Sequence, residues 1–565
     1  MRTVVSGNVR LAVFEEGPED APVVVLVHGY PDTHEVWDDV AAALSDRFRV
    51  VRYDVRGAGR SDAPRGTGAY DLRLLKDDLF AVIDAVSPGA PVHLVAHDWG
   101  SVQSWEAVTE PGSDARIASY TSISGPCLDH MGYWMRDRWR RPSPRGLWQA
   151  LSQQLHSWYV LLFHVPVLPE LVWRFVVAKR WPLLLHRVEG VPPRPGHPAR
   201  TLARDAVHGL SLYRANFRPR LRRPRERRTE VPVQVVMPVH DRYVTPPLAE
   251  GLQRWVPRLW RRRLYAGHWS ALLRDGAQVA RMVTELIDHV GGAPEARGLA
   301  RGRAGAKAGP LVVVTGGGSG IGRATARAFA ASGAEVVVCD VDERAARETG
   351  GHAYRVDVSD EAQMRRFADE VLRVHGVPDI VVNNAGIGHA GTFLATTAEE
   401  WRRVLDVNLW GVIHGCQVFG KLMAERGEGG HIVNVASAAA YLPVKSLAAY
   451  ATSKAAVLML SDVLRAEVAG RGIRVSAICP GLVDTGITRT TTFSGLSEEE
   501  QDRRRDEAAR AYRRRNFAPE RVAAEILRAV ETGRATVPVT VEAKAGLALA
   551  RLSPAALRAA SRVLP

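Results

Sequence analysis

The chain has 565 residues, 46% of them hydrophobic, and a formal net charge of +14; that composition implies several soluble domains and argues against a disordered chain. No apolar run is long enough to span a bilayer, and the N-terminus lacks a signal-peptide core. Four cysteines without paired spacing (Cys127, Cys339, Cys416, Cys479) argue against a disulfide framework or a zinc site, so no metal is expected and a reducing cytoplasm is favoured.

Arginine runs such as "RPRLRRPRERR" and "RLWRRRLY" supply much of the charge. They carry no nucleic-acid-binding motif, so no nucleic-acid partner is expected. They read as a solvated basic face, or as attraction to anionic lipid.

In chain order, "MRTVVSGNVRLAVFEEG" alternates like a strand, and "PVVVLVHG", "FRVVRYD", "PVHLVAHD" and "VPVQVVMP" read as buried strands with helices between them. From about residue 125 to 231 the strand rhythm lapses into Trp-, Leu-, Pro- and Arg-rich helical patches, which predicts a cap over the strand C-termini. Its stretch "WYVLLFHVPVLPELVWRFVVAKRWPLLLH" is a helical core, a greasy tunnel or a membrane-docking face; charged and Pro interruptions argue against a transmembrane helix. Residues 291–309, rich in Gly, Ala and Arg, read as a flexible linker. A second strand series follows: "PLVVVTGGGSGIG", "AEVVVCD", "DIVVNNAG", "GHIVNVAS" and "IRVSAICPG". The expected class is α/β throughout, with parallel sheets covered on both faces. The expected domains are 1–290, then 310–537 with a Rossmann-like doubly wound sheet, then a helical extension over 538–565. That extension packs on the first domain, closes a subunit contact, or touches lipid.

"LVAHDWGS" has the strand–turn–helix setting of a nucleophile elbow, but its centre is Asp98 instead of serine. A carboxylate that displaces a leaving group at saturated carbon forms an ester, which can be hydrolysed; serine would form an inert ether. Asp98 therefore points to alkyl transfer followed by ester hydrolysis. "AGHWSA" offers His268 as the base, and "MPVHDRYVTP" offers Asp241 to orient it. The backbone N–H groups of Tyr30 and Trp99 are the expected oxyanion donors. His28 and His97 read as structural.

"HGYPDTHEVW", "HDWGS", "HDRYVTP" and "AGHWS" together resemble the α/β-hydrolase-fold epoxide hydrolases, over roughly the first half of the chain. The resemblance implies two cap tyrosines that donate to the epoxide oxygen; "HSWYVLLF" and "LSLYRANF" offer Tyr159 and Tyr213. Haloalkane dehalogenases share the Asp and the following Trp. Many of them hold halide with an Asn after "HG", where this chain has Tyr30. A dehalogenase stays as the alternative for the first half, and a lipid-binding or scaffold protein with only the dehydrogenase active as an alternative from another class.

In "VVVTGGGSGIGRATARAFA", Gly316, Gly320 and Gly322 permit a tight turn against pyrophosphate, and the helix beginning near Ile321 aims its N-terminus at that charge. Asp340 ends the next strand where a carboxylate binds both ribose hydroxyls and repels a 2′-phosphate, which favours NAD over NADP. Asp357, followed by Val358, is placed to meet the adenine edge. "NNAG" (containing Asn384, Ala385 and Gly386), Asn408, Ser437 and "YATSK" (Tyr450 and Lys454) follow in order.

This set resembles the short-chain dehydrogenase/reductase family. The resemblance implies Tyr450 as the proton donor and acceptor, Lys454 lowering its pKa and holding the nicotinamide ribose, Ser437 orienting the substrate oxygen, and Asn408 holding a relay water. It implies that "PGLVDT" (Pro480, Gly481, Val483) lines the nicotinamide carboxamide, and that the dehydrogenase helices make a homo-oligomer. The whole layout resembles a fusion of the two families, acting on a lipophilic epoxide and on an alcohol or ketone, with peripheral membrane contact left open.

Overall fold

The structure, a computed structural model, describes residues 1–305 and 308–560. Residues 306–307 of the expected linker and 561–565 of the expected extension lie outside the described residues. The chain divides into two compact units, Met1–Lys307 and Ala308–Pro565.

The first unit is built on eight strands: β1 (Arg2–Ser6), β2 (Val9–Glu16), β3 (Val23–Val27), β4 (Arg49–Tyr53), β5 (Val92–His97), β6 (Ile117–Ile123), β7 (Val233–Pro238) and β8 (Leu259–Leu264). Their order is β1-β2-β4-β3-β5-β6-β7-β8. β2 pairs antiparallel with β1 and β4, and every other neighbour is parallel. All five residues of β3 are buried, as a central strand with helices on both faces requires. β6 was not among the expected strands because hydroxyl residues mask it. Its polar groups are satisfied inside: Ser101 Oγ lies 2.7 Å from the Tyr120 hydroxyl and 2.8 Å from Ser122 Oγ.

The arginine runs depart from a purely solvated face. Arg262, on β8, is 2% exposed and pairs with Glu285. Arg225 and Arg227 both reach Glu106, and Arg225 also reaches Asp129. Burial of these acids needs the opposite charge nearby.

Between β6 and β7 the chain forms the helical cap, with helices at Leu128–Arg140, Pro144–His156, Trp158–Phe163, Leu168–Val172, Ala178–Glu189 and Leu202–Arg222. Ser143 starts the second of these by accepting from Gly146 N, with proline in the first turn. The flexible-linker expectation needs correction over part of its length. Arg297–Gly302 is a short helix whose Leu299 is buried against Trp260 and Leu286, because one large apolar residue suffices to dock a turn on a sheet edge.

The second unit carries a seven-stranded, all-parallel sheet. Its strands run, edge to edge, His352–Arg355, Glu335–Asp340, Leu311–Thr315, Ile380–Asn383, Gly430–Val435, Ile473–Cys479 and Thr536–Pro538. The chain reverses direction across the sheet between Leu311–Thr315 and Ile380–Asn383, which opens a crevice at their C-terminal ends. The extension folds onto its own unit. Thr536–Pro538 is the last strand, and the helix Val541–Leu552 follows, with the Tyr441 hydroxyl donating to Ala543 O at 2.9 Å. No described helix is long and apolar enough to cross a membrane.

Candidate active sites

In the first unit, β5 enters a sharp turn at Asp98 and leaves as the helix Trp99–Val108. Asp98 has φ +51° and ψ −125°, a strained conformation for a residue with a side chain, and it throws the carboxylate clear of the sheet. The turn packs so closely on the "HGYP" loop that a Cβ on Gly29 would sit 2.5 Å from Asp98 Oδ1. Tyr30 N donates to Asp98 Oδ1 at 2.7 Å. Trp99 opens the helix directly after Asp98, so one expected oxyanion donor belongs to the elbow and the other, Tyr30, to the loop packed on it.

His268 lies in the loop after β8. Its Nδ1 is 2.9 Å from Asp241 Oδ2, and its Nε2 is 3.6 Å from Asp98 Oδ2. Asp241 is held in turn by Tyr243 N at 2.7 Å and Val244 N at 3.0 Å, both donating to Oδ1. Burial works against a charged His268, but Asp241 and then Asp98 outweigh it and raise the imidazole well above its ordinary range. Burial would likewise raise Asp241, yet His268 and the backbone donors hold it low. His97 is different: burial pushes it down to about 4, and its Nε2 lies 3.0 Å from His268 O. His28 is spent on backbone, with Val55 N donating to its Nε2 at 3.0 Å. Both are packing residues of the loops that carry the site.

The cap brings Tyr159 and Tyr213 to the same place. Their rings lie 5.9 Å apart, and Tyr213 packs on Trp99 at 4.7 Å and on Tyr30 at 5.4 Å. Burial first, and the Asp98 charge among the remaining causes, raise both phenols, so they stay protonated and able to donate. The sequence reading missed Tyr243, whose ring stands 5.0 Å from His268 and 5.5 Å from Tyr159. It also missed a buried clasp on the histidine loop. Asp32 accepts from Trp269 Nε1 at 2.8 Å and faces His197 Nε2 at 2.9 Å, while Glu189 of the cap accepts from Ser270 N at 3.2 Å. "HGYPD" and "GHWS" were the available signals.

In the second unit, Gly316 has φ +61°, and a Cβ there would meet Ala385 Cα at 2.6 Å. A Cβ on Gly322 would meet Gly316 O at 2.2 Å, so the turn and the helix Gly320–Ala331 with Ile321 close up only with glycine. The "NNAG" loop is tied to that turn: Asn384 Nδ2 donates to Thr315 O and Gly316 O, and Ala385 N donates to Thr315 Oγ1. These strand ends form a cradle of backbone and small residues that fits a dinucleotide. Asp340 Oδ2 accepts from Gly318 N at 2.8 Å at the rim of that cradle. Asp357 and Val358 follow the neighbouring strand, where Val356 N donates to Asp340 O; Asp357 Oδ1 accepts from Ser359 N at 2.9 Å.

Asn408 sits in a widened helical turn, Asp406–Trp410, of the kind that often marks functional sites. Its Oδ1 accepts from Ile387 N at 2.8 Å, just past Gly386. Tyr450 and Lys454 share one face of the helix Ala448–Val468. Lys454 Nζ donates to Val435 O at 3.0 Å, lies 5.9 Å from the Tyr450 ring centre, and is lowered by burial to about 8. The expectation that Lys454 lowers the Tyr450 phenol needs correction: burial raises Tyr450, and it is its hydrogen bond with Ser437 that pulls the other way. Pro480 O accepts from Ala438 N at 2.7 Å, which sets the loop of Gly481 and Val483 against Ser437.

Two neighbours of this site were not legible in the sequence. Tyr512 is pushed up to about 12 by burial and by Tyr450. Glu542 of the extension accepts from Leu482 N at 3.0 Å and pairs with Arg515. Elsewhere, Glu335, His352 and His375 have ligand atoms within 4.8 Å of one another, a metal-compatible group that the expectation of no metal did not include.

Comparison with known proteins gives the same division. An alpha/beta hydrolase fold model matches residues 22–176, and a short chain dehydrogenase model matches residues 310–493. "Probable oxidoreductase EphD" of Mycobacterium tuberculosis (strain ATCC 25618 / H37Rv) is 46% identical over 576 residues, 98% of this chain and 97% of that protein. "3beta-hydroxysteroid dehydrogenase 1" of Eggerthella lenta is 43% identical over 189 residues, 32% of this chain and 72% of that protein. A crystal structure of a Bacillus megaterium epoxide hydrolase with an inhibitor is similar at 20% identity and a TM-score of 0.44, over 51% of this chain and 100% of that one. With an α/β-hydrolase fold followed by a short-chain dehydrogenase fold, and 46% identity across nearly its whole length, the chain belongs to the family of the mycobacterial EphD proteins.

Proposed function

We propose that the chain is a bifunctional enzyme: its first unit hydrolyses an epoxide to a vicinal diol through an ester on Asp98, and its second interconverts an alcohol and a ketone with NAD. The observation that carries the first half is the convergence of Asp98, the Asp241–His268 pair and two protonated cap phenols.

An oxygen of Asp98 attacks an epoxide carbon, the ring C–O bond breaks, and Tyr159 or Tyr213 gives its proton to the departing alkoxide. His268 Nε2 then takes a proton from water, and the hydroxide adds to Cγ of Asp98. Tyr30 and Trp99 N–H groups stabilise the oxyanion. Collapse breaks the bond between Cγ and the alkyl oxygen, the His268 imidazolium gives its proton to that leaving oxygen, and the proton left on the new Asp98 carboxyl returns to the tyrosinate; the diol is released with one water oxygen retained in Asp98. Asp241 stabilises the imidazolium throughout.

In the second unit, Gly316, Gly320, Gly322, Asp340 and the "NNAG" loop would hold the dinucleotide, which when bound accepts or donates a hydride. Tyr450 exchanges the hydroxyl proton with the substrate oxygen, and Ser437 orients that oxygen. Lys454, on the same helix face as Tyr450, would hold the nicotinamide ribose, and the Asn408 side chain, expected to hold a relay water, instead bonds Ile387 and fixes the loop beside it. The aromatic lining of the first site supports a lipophilic substrate. Product analysis by mass spectrometry, with short and long epoxides and with or without NAD, tests the reading. Diol without NAD and hydroxyketone with NAD support both halves working in sequence. Halide release from haloalkanes without diol formation from epoxides would assign the first site to dehalogenation.

A further inference from the structure

We propose that the cap of the first unit is a docking face for an anionic lipid bilayer, and that it lies flat in the headgroup region without crossing. The helices from Pro144 to Glu189 expose a concentration of large apolar side chains that is unusual for a soluble surface. Trp148 is 67% exposed, Trp158 64%, Leu161 69% and Phe175 58%. Tryptophan in that setting suits the boundary between headgroups and acyl chains.

Charge selects the occupant. The exposed basic residues of this stretch include Arg174, Lys179, Arg180 and Arg187, while Arg145 is paired with Glu250. From residue 138 to 190 the only acids are Glu170 and Glu189. Glu170 is neutralised by Arg214 at 2.6 Å, and Glu189 is buried. Within this stretch the exposed groups are therefore apolar and positive, and the acid at its edge, Glu250, is paired with Arg138 and Arg145. A second copy of this face would meet like charge; an anionic membrane meets the opposite charge and also takes up the apolar side chains.

The same thin layer lines the first active site. In the helix Trp158–Phe163, Trp158 and Leu161 face outward, while Phe163 is buried and Tyr159 packs on the core beside Tyr213. Behind the exposed Phe175, Trp173 is buried against Tyr30 at 5.7 Å. Docking would set the lipid against the outer side of the layer that carries Tyr159 and Trp173, so that a lipophilic substrate arrives by partition from the bilayer. This last step rests on the proposed epoxide hydrolysis; the docking does not.

Cosedimentation of the full chain with vesicles tests it, using phosphatidylcholine alone or with one-third phosphatidylglycerol. Binding to the anionic vesicles is expected to be at least about ten-fold stronger, and to weaken as salt rises. The double variant Leu161→Glu, Phe175→Glu should lose about ten-fold or more, and Lys179→Glu, Arg180→Glu should lose the preference for anionic lipid. Equal or absent binding to the two vesicles, or full binding by both variants, overturns the proposal. So does a dimer, seen by sedimentation velocity and dissolved by the apolar variant, in a protein that ignores vesicles. Hydrolysis of a short water-soluble epoxide separates the two ideas. Vesicle binding without any turnover removes the proposed function and leaves the docking; turnover without vesicle binding does the reverse.

Discussion

His268 Nε2 stands 3.6 Å from Asp98 Oδ2, close enough for the carboxylate to hold the imidazole up in pKa and too far for a direct hydrogen bond. The spacing suits two groups that act one after the other. Attack by Asp98 needs no base, whereas hydrolysis of its ester does. His268→Gln should therefore slow the second step by about 10³ or more and leave the first nearly intact. Intact-mass measurement after acid quench should show the alkylated protein accumulating; turnover at the parent rate contradicts the assignment.

The same pair predicts a charge effect. Asp241 and Asp98 both raise His268, and a base must be neutral to act, so protonation as pH falls through the raised pKa shuts off water activation. Esterification removes the Asp98 charge and should release His268 downward when it is needed. Asp98→Asn imitates the neutral ester. An NMR titration of His268 should give a lower pKa in that variant than in the parent; an equal or higher value contradicts the coupling.

Tyr450→Phe should lower NADH-linked activity by about 10³ and leave diol formation unchanged, because each reaction's residues lie within one compact unit. Loss of both activities in a folded variant, checked by circular dichroism, would contradict independent sites.

Cofactor choice turns on Asp340. Its carboxylate accepts from Gly318 N and Asp342 N, which places it at the rim of the glycine turn. A 2′-phosphate beside it would bring two negative charges together, at a cost of about a few kcal/mol in a partly desolvated cleft. Arg323, in the first turn of the helix after the glycine turn, donates to Gly318 O and lies 3.9 Å from Glu348, so its charge is already engaged. NAD should exceed NADP in kcat/KM by at least about ten-fold, and Asp340→Ala should shrink that ratio mainly by weakening NAD. Equal use of the two by the parent protein contradicts this.

Residues whose type and spacing are dictated by chemistry were readable from the chain. Asp98 had to follow a strand and precede a helix, and Tyr450 and Lys454 had to lie one helical turn apart. Residues placed by long-range packing were not readable. Tyr243 meets His268 only because Asp241 holds its backbone, and Glu542 reaches Leu482 only after the extension folds back. The strand Ile117–Ile123 escaped notice because its hydroxyls are paid off by partners distant in sequence, such as Ser101. Leu299 shows the same limit in a segment whose composition reads as a free linker.

The most direct test of the account is a single turnover in oxygen-18 water with enzyme in excess over epoxide. If Asp98 forms the ester and water attacks its Cγ, the label enters the Asp98 carboxylate and the first diol carries none. Tryptic peptide mass spectrometry of the segment containing Asp98 reads this directly. Label in the first diol, with an unlabelled Asp98 peptide, would mean that water opens the epoxide itself and would contradict the account.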